Sequence, residues 1–302
     1  MWTRACTRAL ASLAVALAAV PAPATALAQA APAPTTTRYM TTTDRDVLYQ
    51  EGCAQTNESG IVILDFGQPW WDGTTYGTIL FGANTFRSIA DIEGAVEGWL
   101  DGYWSCGGGG AVRLAIGTSN YQGFTGTGHG VAWAQLVTRV NDWILAPPSW
   151  AAREAARGAS DLEPSWNSAA NSRAWVDGYA SAYQYPFYDY GSADGCPPYG
   201  ACNNGWTPED VWYVAYGSPA AWPIPEIYFP ANAQQWHQVG RYGAVQHGSA
   251  VQFLGTLTQW AAAGDCCTNA PADGWQQLFD ALNSDPQTAQ ELPYSTDITW
   301  AN

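Results

Sequence analysis

The chain has 302 residues, a formal net charge of −15 and no lysine, so its 11 Lys-plus-Arg positions are all arginine. Nothing supplies the basic footprint that phosphate backbones require, which argues against nucleic acid as a partner. Schiff-base chemistry and a Walker-type phosphate loop both need a lysine and are excluded.

The first segment, 1–30, reads as a secretory signal peptide. Arg4 and Arg8 precede an apolar run over 9–20, and small residues follow in Ala24-Thr25-Ala26 and Ala28-Gln29-Ala30. The run is far short of the roughly 20 residues that cross a bilayer. No later segment is long and apolar enough to span, so a secreted, extracellular protein without a membrane span is expected. The Ala-, Pro- and Thr-rich stretch 31–46 is expected to be flexible. A single barrel domain is expected over 47–302, of a length that suits one α/β core.

Short apolar runs then alternate with stretches of helical periodicity. IVILDFG (61–67) reads as a buried strand, and 85–104 as a helix with Phe86, Ile89, Ile92, Val96, Trp99 and Leu100 on one side. AVRLAIG (111–117) is a strand and 131–145 a helix. ARGASDLEP (156–164) is a strand, and the helix after it starts near Asn171. FYDYGS (187–192), VWYVAYG (211–217), PEIYF (225–229) and VQFLGTLTQ (251–259) are further strands, with a brief helix start at Thr207 to Asp210. Helices are expected at about 232–242 and 274–283. Strand–helix alternation predicts parallel pairing. The fold class is therefore α/β, a (β/α)8 TIM-like barrel with seven clear strands and an eighth missed or irregular. An open doubly wound sheet is the alternative.

Without Cys6 of the leader, six cysteines remain, an even count that suits disulfides outside the cell. Connectivity is not determined by sequence; local spacing suits Cys196 with Cys202 as a loop staple, and Cys53 with Cys106 could tie the flanks of the first strand and helix. The adjacent Cys266 and Cys267 are awkward, because a vicinal disulfide strains the backbone. Neither the cysteines nor His129, His237 and His247 have the spacing of a metal site, so no metal or cofactor is expected. The histidines read as structural, and no G-x-S-x-G elbow supports a serine hydrolase.

In a parallel barrel, chemistry sits at the carboxyl ends of the strands. Asp65 ends IVILD there. Asp161 and Glu163, two apart in an extended segment, aim their side chains to one face with Leu162 on the other. Paired acids of this kind serve glycosidic cleavage, where one carboxylic acid protonates the leaving oxygen and a second carboxylate works at the opposite centre. Asp189 and Glu226 have a weaker case, with structural roles favoured. With 17 Trp and 16 Tyr in the chain, flat apolar faces for sugar stacking are plentiful. Trp70, Trp71, Trp166 and Trp260 follow strands directly, and Tyr188 and Gln259 lie at strand ends. These six are the candidate substrate-binding residues.

Asp65, the DLE of 161–163, IYF at 227–229 and TQW at 258–260 together resemble bacterial glycoside-hydrolase-like barrels, closest in pattern to the lysozyme (muramidase) family 25 type. The resemblance implies Glu163 as general acid, Asp161 orienting or stabilising the reacting sugar, and Asp65 supporting water or substrate. LDFGQPWWDG departs from that family's D-x-S-x-W-Q-G opening, and a further catalytic aspartate is not identifiable. The expectation is a secreted hydrolase of glycosidic bonds in a polysaccharide or peptidoglycan. The alternatives are a non-catalytic carbohydrate- or cell-envelope-binding protein on the same scaffold and, third, a disulfide-braced structural protein.

Overall fold

A computed structural model describes residues 29–301 except 83, 123–125, 148, 197–200 and 263–266. The expected signal peptide therefore lies outside the described residues apart from Gln29 and Ala30. In chain order the elements are β1 (Thr35–Tyr39), α1 (Arg45–Gln55), β2 (Gly60–Asp65), a three-stranded antiparallel insertion of β3 (Gln68–Trp71), β4 (Tyr76–Ile79) and β5 (Phe86–Ser88), α2 (Ile89–Ser105), β6 (Val112–Ser119) and α3 (Thr127–Leu145). Then follow β7 (Glu154–Asp161), α4 (Ala169–Ala182), β8 (Phe187–Asp189), the short α5 (Pro208–Trp212), β9 (Ala221–Pro223), α6 (Pro230–His247), β10 (Gly255–Thr258), α7 (Pro271–Asn283) and β11 (Tyr294–Trp300).

Eight strands pair in parallel in the order β10-β11-β1-β2-β6-β7-β8-β9. The two ends of this sheet meet at a parallel bridge between Glu226 and Leu257, which brings the barrel close to full closure. The fold is a (β/α)8 TIM-like barrel. Inward alternation fills its interior with Ile61, Ile63, Ala115, Ala159, Tyr188, Tyr190, Ile224, Leu257 and Ile298. A larger apolar layer between sheet and helices contains Trp99, Trp133, Trp175, Trp236 and Trp275, all nearly inaccessible. No helix among the described residues is long and apolar enough to cross a membrane.

Three expectations are corrected. The segment 31–46 is not a flexible lead-in: β1 lies within it, paired with β11 on one side and β2 on the other. Thr35 and Thr37 face inward, and Thr37 shares a 2.7 Å hydroxyl contact with Thr296 of the neighbouring β11, so a polar run forms an interior strand by satisfying itself against the strand beside it. The stretch 211–217 is helical, not extended. Thr207 and Asp210 make a reciprocal capping box, Pro208 opens α5, and Tyr213–Gly217 continues it as a π turn. PEIYF at 225–229 contributes only the Glu226 bridge, and the sixth barrel strand is β9 just before it.

The helices outside the barrel pack in pairs through glycine. A Cβ at Gly52 of α1 would come 1.9 Å from the Trp99 carbonyl oxygen, and one at Gly102 of α2 would come 2.0 Å from that of Tyr49. Gly130 and Gly178 do the same for α3 and α4. Disulfides join Cys53 to Cys106 at the end of the first helix pair and Cys196 to Cys202 in the loop after β8, as the spacing led one to expect. Cys267 is also disulfide-bonded. Gly102→Ala drives a methyl group into backbone that cannot retreat, so it should destabilise by about 2–3 kcal/mol. Urea unfolding checks this, and an unchanged midpoint would contradict the packing.

Candidate active site

The carboxyl ends of the barrel strands open into a cavity of about 460 Å3. Among the described residues, the only charged side chains on its wall are Asp161, Glu163 and Glu226. Asp161 is the last residue of β7. Glu163 lies two residues beyond and is held by Asn120, whose side-chain oxygen accepts from the Glu163 N–H at 3.1 Å while its amide donates to the Glu163 carbonyl at 2.9 Å. Asn120 also donates its backbone N–H to the Asp161 carbonyl at 2.9 Å, so the loop after β6 fixes the register of both acids. Glu226 comes from the segment after β9, two strands along from β7, where it makes the closing bridge to Leu257.

One carboxylate oxygen from each of Asp161, Glu163 and Glu226 lies within 4.8 Å of the others. A hard cation would also accept such an all-oxygen set, and no other described group of His, Cys, Asp and Glu converges in this way. Asp161 is 3 % exposed and its Oδ1 has no hydrogen-bond partner. Burial, and then the charge of Glu226, push the Asp161 carboxyl well above the usual carboxylate range. Burial followed by Asp194 and Asp189 raises Glu163 to about 7. Glu226 is raised well above its ordinary value by burial and then by Glu163, while the Tyr228 hydroxyl beside it favours its charged form. Like charges kept from water cannot all ionise together, so the group retains protons near neutral pH.

Asp65 does not reach the cavity. It is fully buried below it, where its Oδ1 accepts from the Gly67 N–H at 2.8 Å and holds the turn into β3. Burial pushes it up to about 6. Tyr190 crosses the barrel beside it to donate to the Thr118 carbonyl at 2.9 Å, and Gly117 makes room, since a Cβ there would meet the Tyr190 hydroxyl at 2.8 Å. Asp189 is likewise structural: its Oδ1 accepts from the Gly191 N–H at 3.1 Å, and burial raises it to about 7.

Of the expected substrate-binding residues, Trp166 and Gln259 line the cavity. Tyr188 is packed in the barrel interior, Trp70 and Trp71 are on the exposed β3 of the insertion, and Trp260 is exposed beyond the cavity wall. Tyr39, Phe81, Tyr121, Tyr228 and Trp300 line it without having been singled out in the sequence. Inward alternation through Ile224, Glu226 and Tyr228 was the signal that could have identified two members of the site. Two aromatic groups flank the acids: Tyr39 with Phe81 and Trp300 (centroids 4.8–5.8 Å), and Tyr121 edge-on to Trp166 at 5.4 Å. The three histidines are engaged elsewhere. Buried His129 accepts from the Trp175 indole and contacts the Gly77 carbonyl, His237 is part of α6, and His247 stacks on Trp212.

The fold and site together define a parallel α/β barrel with an acidic, aromatic-walled mouth. No protein-family model matches the chain and no curated protein shows significant similarity to it.

Asp65, Glu163 and Asp189 bind protons in the folded state at about 6, 7 and 7, against roughly 4 for carboxyls in an unfolded chain. A raised folded value gives stability that is complete below the unfolded value and is lost as pH rises through the folded one. The melting temperature should therefore fall between about pH 5 and pH 8, and Asp189→Asn should flatten the slope. Thermal melts across that range test it, and a flat wild-type profile contradicts it.

Proposed function

We propose that the protein is a glycoside hydrolase whose acids act at the mouth of the barrel. The observation that carries this reading is the convergence of Asp161, Glu163 and Glu226 within 4.8 Å between two aromatic walls. Glu163, half-buried and raised to about 7, is the general acid, because it faces the cavity and still carries a proton near neutral pH. Glu226, brought within 4.8 Å of Glu163, is assigned as the nucleophile on its position, and it must give up its proton as the sugar binds. Asp161 keeps the proton that the crowded group cannot release and fixes the electrostatics around the other two.

The spacing supports retention of configuration. Retaining enzymes hold their two carboxyl groups about 5–5.5 Å apart, whereas inverting enzymes leave about 6.5–9.5 Å for a water. Glu226 attacks the anomeric carbon while Glu163 gives its proton to the departing glycosidic oxygen, and the glycosyl group is left as an ester on Glu226. Glu163, now ionised, takes a proton from water. The resulting hydroxyl attacks the anomeric carbon and frees Glu226. This assignment adds Glu226, for which a structural role was favoured, to Glu163 and Asp161, and leaves out Asp65, which was expected to support water or substrate. Tyr39, Trp300, Tyr121 and Trp166 offer faces for the sugar rings. The disulfides and the N-terminal leader support work outside the cell, on a polysaccharide or on peptidoglycan.

Glu163→Gln should lower kcat/KM by about 10²–10⁴-fold, because it removes the proton donor and keeps the shape. Reducing-end release from a glycan panel measures this, and proton NMR of the first product should show the configuration retained. An inverted product would overturn the role of Glu226. Glycan binding with no turnover by the wild type would replace the enzyme with a binding protein.

A further inference from the structure

We propose that the barrel mouth selects a cationic glycan, a glucosamine-type polymer carrying free protonated amino groups, over neutral N-acetylated sugars and against polyanionic ones. The inference rests on the glycosidase reading and names the charge of its substrate.

The first support is where the positive charge of the chain lies. Outside the leader there are nine arginines. Arg45, Arg139, Arg173 and Arg241 are paired with acids of the helices and loops around the barrel. Arg113, Arg153 and Arg157 sit over the rings of Tyr294, Tyr103 and Tyr185. Arg38 and Arg87, on β1 and β5, do not line the cavity, and no histidine does. The residues from 29 onward that lie outside the description include one acid, Asp265, and no Arg or His. Three carboxylates therefore face the ligand with no protein cation on the cavity wall.

The second support is an unmet acceptor. Asp161 lines the cavity, is 3 % exposed, and has an Oδ1 without a partner. A buried acceptor of this kind needs a donor, and a charged donor binds it more strongly than a neutral one. An ammonium group on the sugar supplies both N–H donors and countercharge. An acetamide supplies the donor alone, and a uronate brings another acceptor and a like charge. Asp65 and Asp189 behind the wall add to the negative field, since both contribute to raising Asp161. The ring faces of Trp300 and Trp166 add a further attraction for a cation that they do not offer an anion.

Glucosamine, N-acetylglucosamine and galacturonate oligomers of equal length, titrated calorimetrically into the full chain at low ionic strength with EDTA present, test the proposal. The glucosamine oligomer should bind about 10-fold more tightly than its acetylated counterpart, galacturonate should give no measurable binding, and added salt should shrink the difference. Glu226→Gln, which keeps the shape and removes one carboxylate, should reduce the preference to below about 3-fold, and a preference that stays near 10-fold overturns the proposal. Equal affinity for the acetylated and free-amine oligomers, or binding of galacturonate, overturns the proposal. If a neutral or acidic glycan is nonetheless cleaved, the hydrolase reading stands alone. If none of the three binds and no glycan is cleaved, both fall.

Discussion

A parallel barrel exists only if the two edges of its sheet meet, and here the first and last strands pair over five residues while the seam between β9 and β10 is very narrow. β9 has three residues, ends at Pro223, and is followed by a second proline at 225. Neither proline has an N–H, so this edge contributes mainly acceptors. The Pro223 carbonyl accepts from the Leu254 N–H and the Pro225 carbonyl from the Leu257 N–H, while Ile227 returns a donor to the Leu257 carbonyl, each at 2.9 Å. Glu226 lies between the second proline and that donor. The hydrogen bonds that close the barrel are thus the ones that deliver the third carboxylate to Asp161 and Glu163.

The parts of the fold that were legible in the sequence are those where burial is purely apolar. IVILD and AVRLAIG became β2 and β6, inside the apolar layer and paired through six consecutive residues. β1 was not legible because its interior face is largely threonine, and threonine tracts read as linkers unless one knows that Thr296 waits on the adjacent strand. VWYVAYG misled in the opposite direction. Its β-branched and aromatic content fits a strand, but the cap at Thr207 and the burial of Val211, Val214 and Ala215 at helical spacing outweigh that preference. At the site, the common aim of Asp161 and Glu163 followed from alternation alone. Glu226 was obscured because its strand is broken by prolines, and Asp65 was overvalued because a carboxylate at a strand end can serve the turn that follows it.

Buried polar atoms without partners are expensive, and several of those described lie near the site. Asp65, Asp161 and Asp189 each leave one carboxylate oxygen unpaired near the same end of the barrel. In a purely structural barrel these positions would favour apolar residues or an arginine, since an uncompensated acid in low dielectric costs several kcal/mol. Local rules are most often broken where chemistry needs them broken. The turn-holding bonds to Gly67 and Gly191 explain one oxygen of Asp65 and one of Asp189. They leave Asp161 and, at the other end of β7, Glu154 as acids whose burial the packing does not account for.

With the arginines committed elsewhere, the negative charge of the mouth can be balanced only by protons or by whatever enters the cavity. These two ways of balancing compete, because a cation next to Asp161, Glu163 and Glu226 lowers the proton affinity of each. Binding and protonation are therefore linked, and each shifts the other by the same free energy. A sugar carrying positive charge would release protons from the crowded group and relieve the repulsion within it. On the proposed hydrolase reading, occupancy of the site and the protonation of its acids are therefore set together.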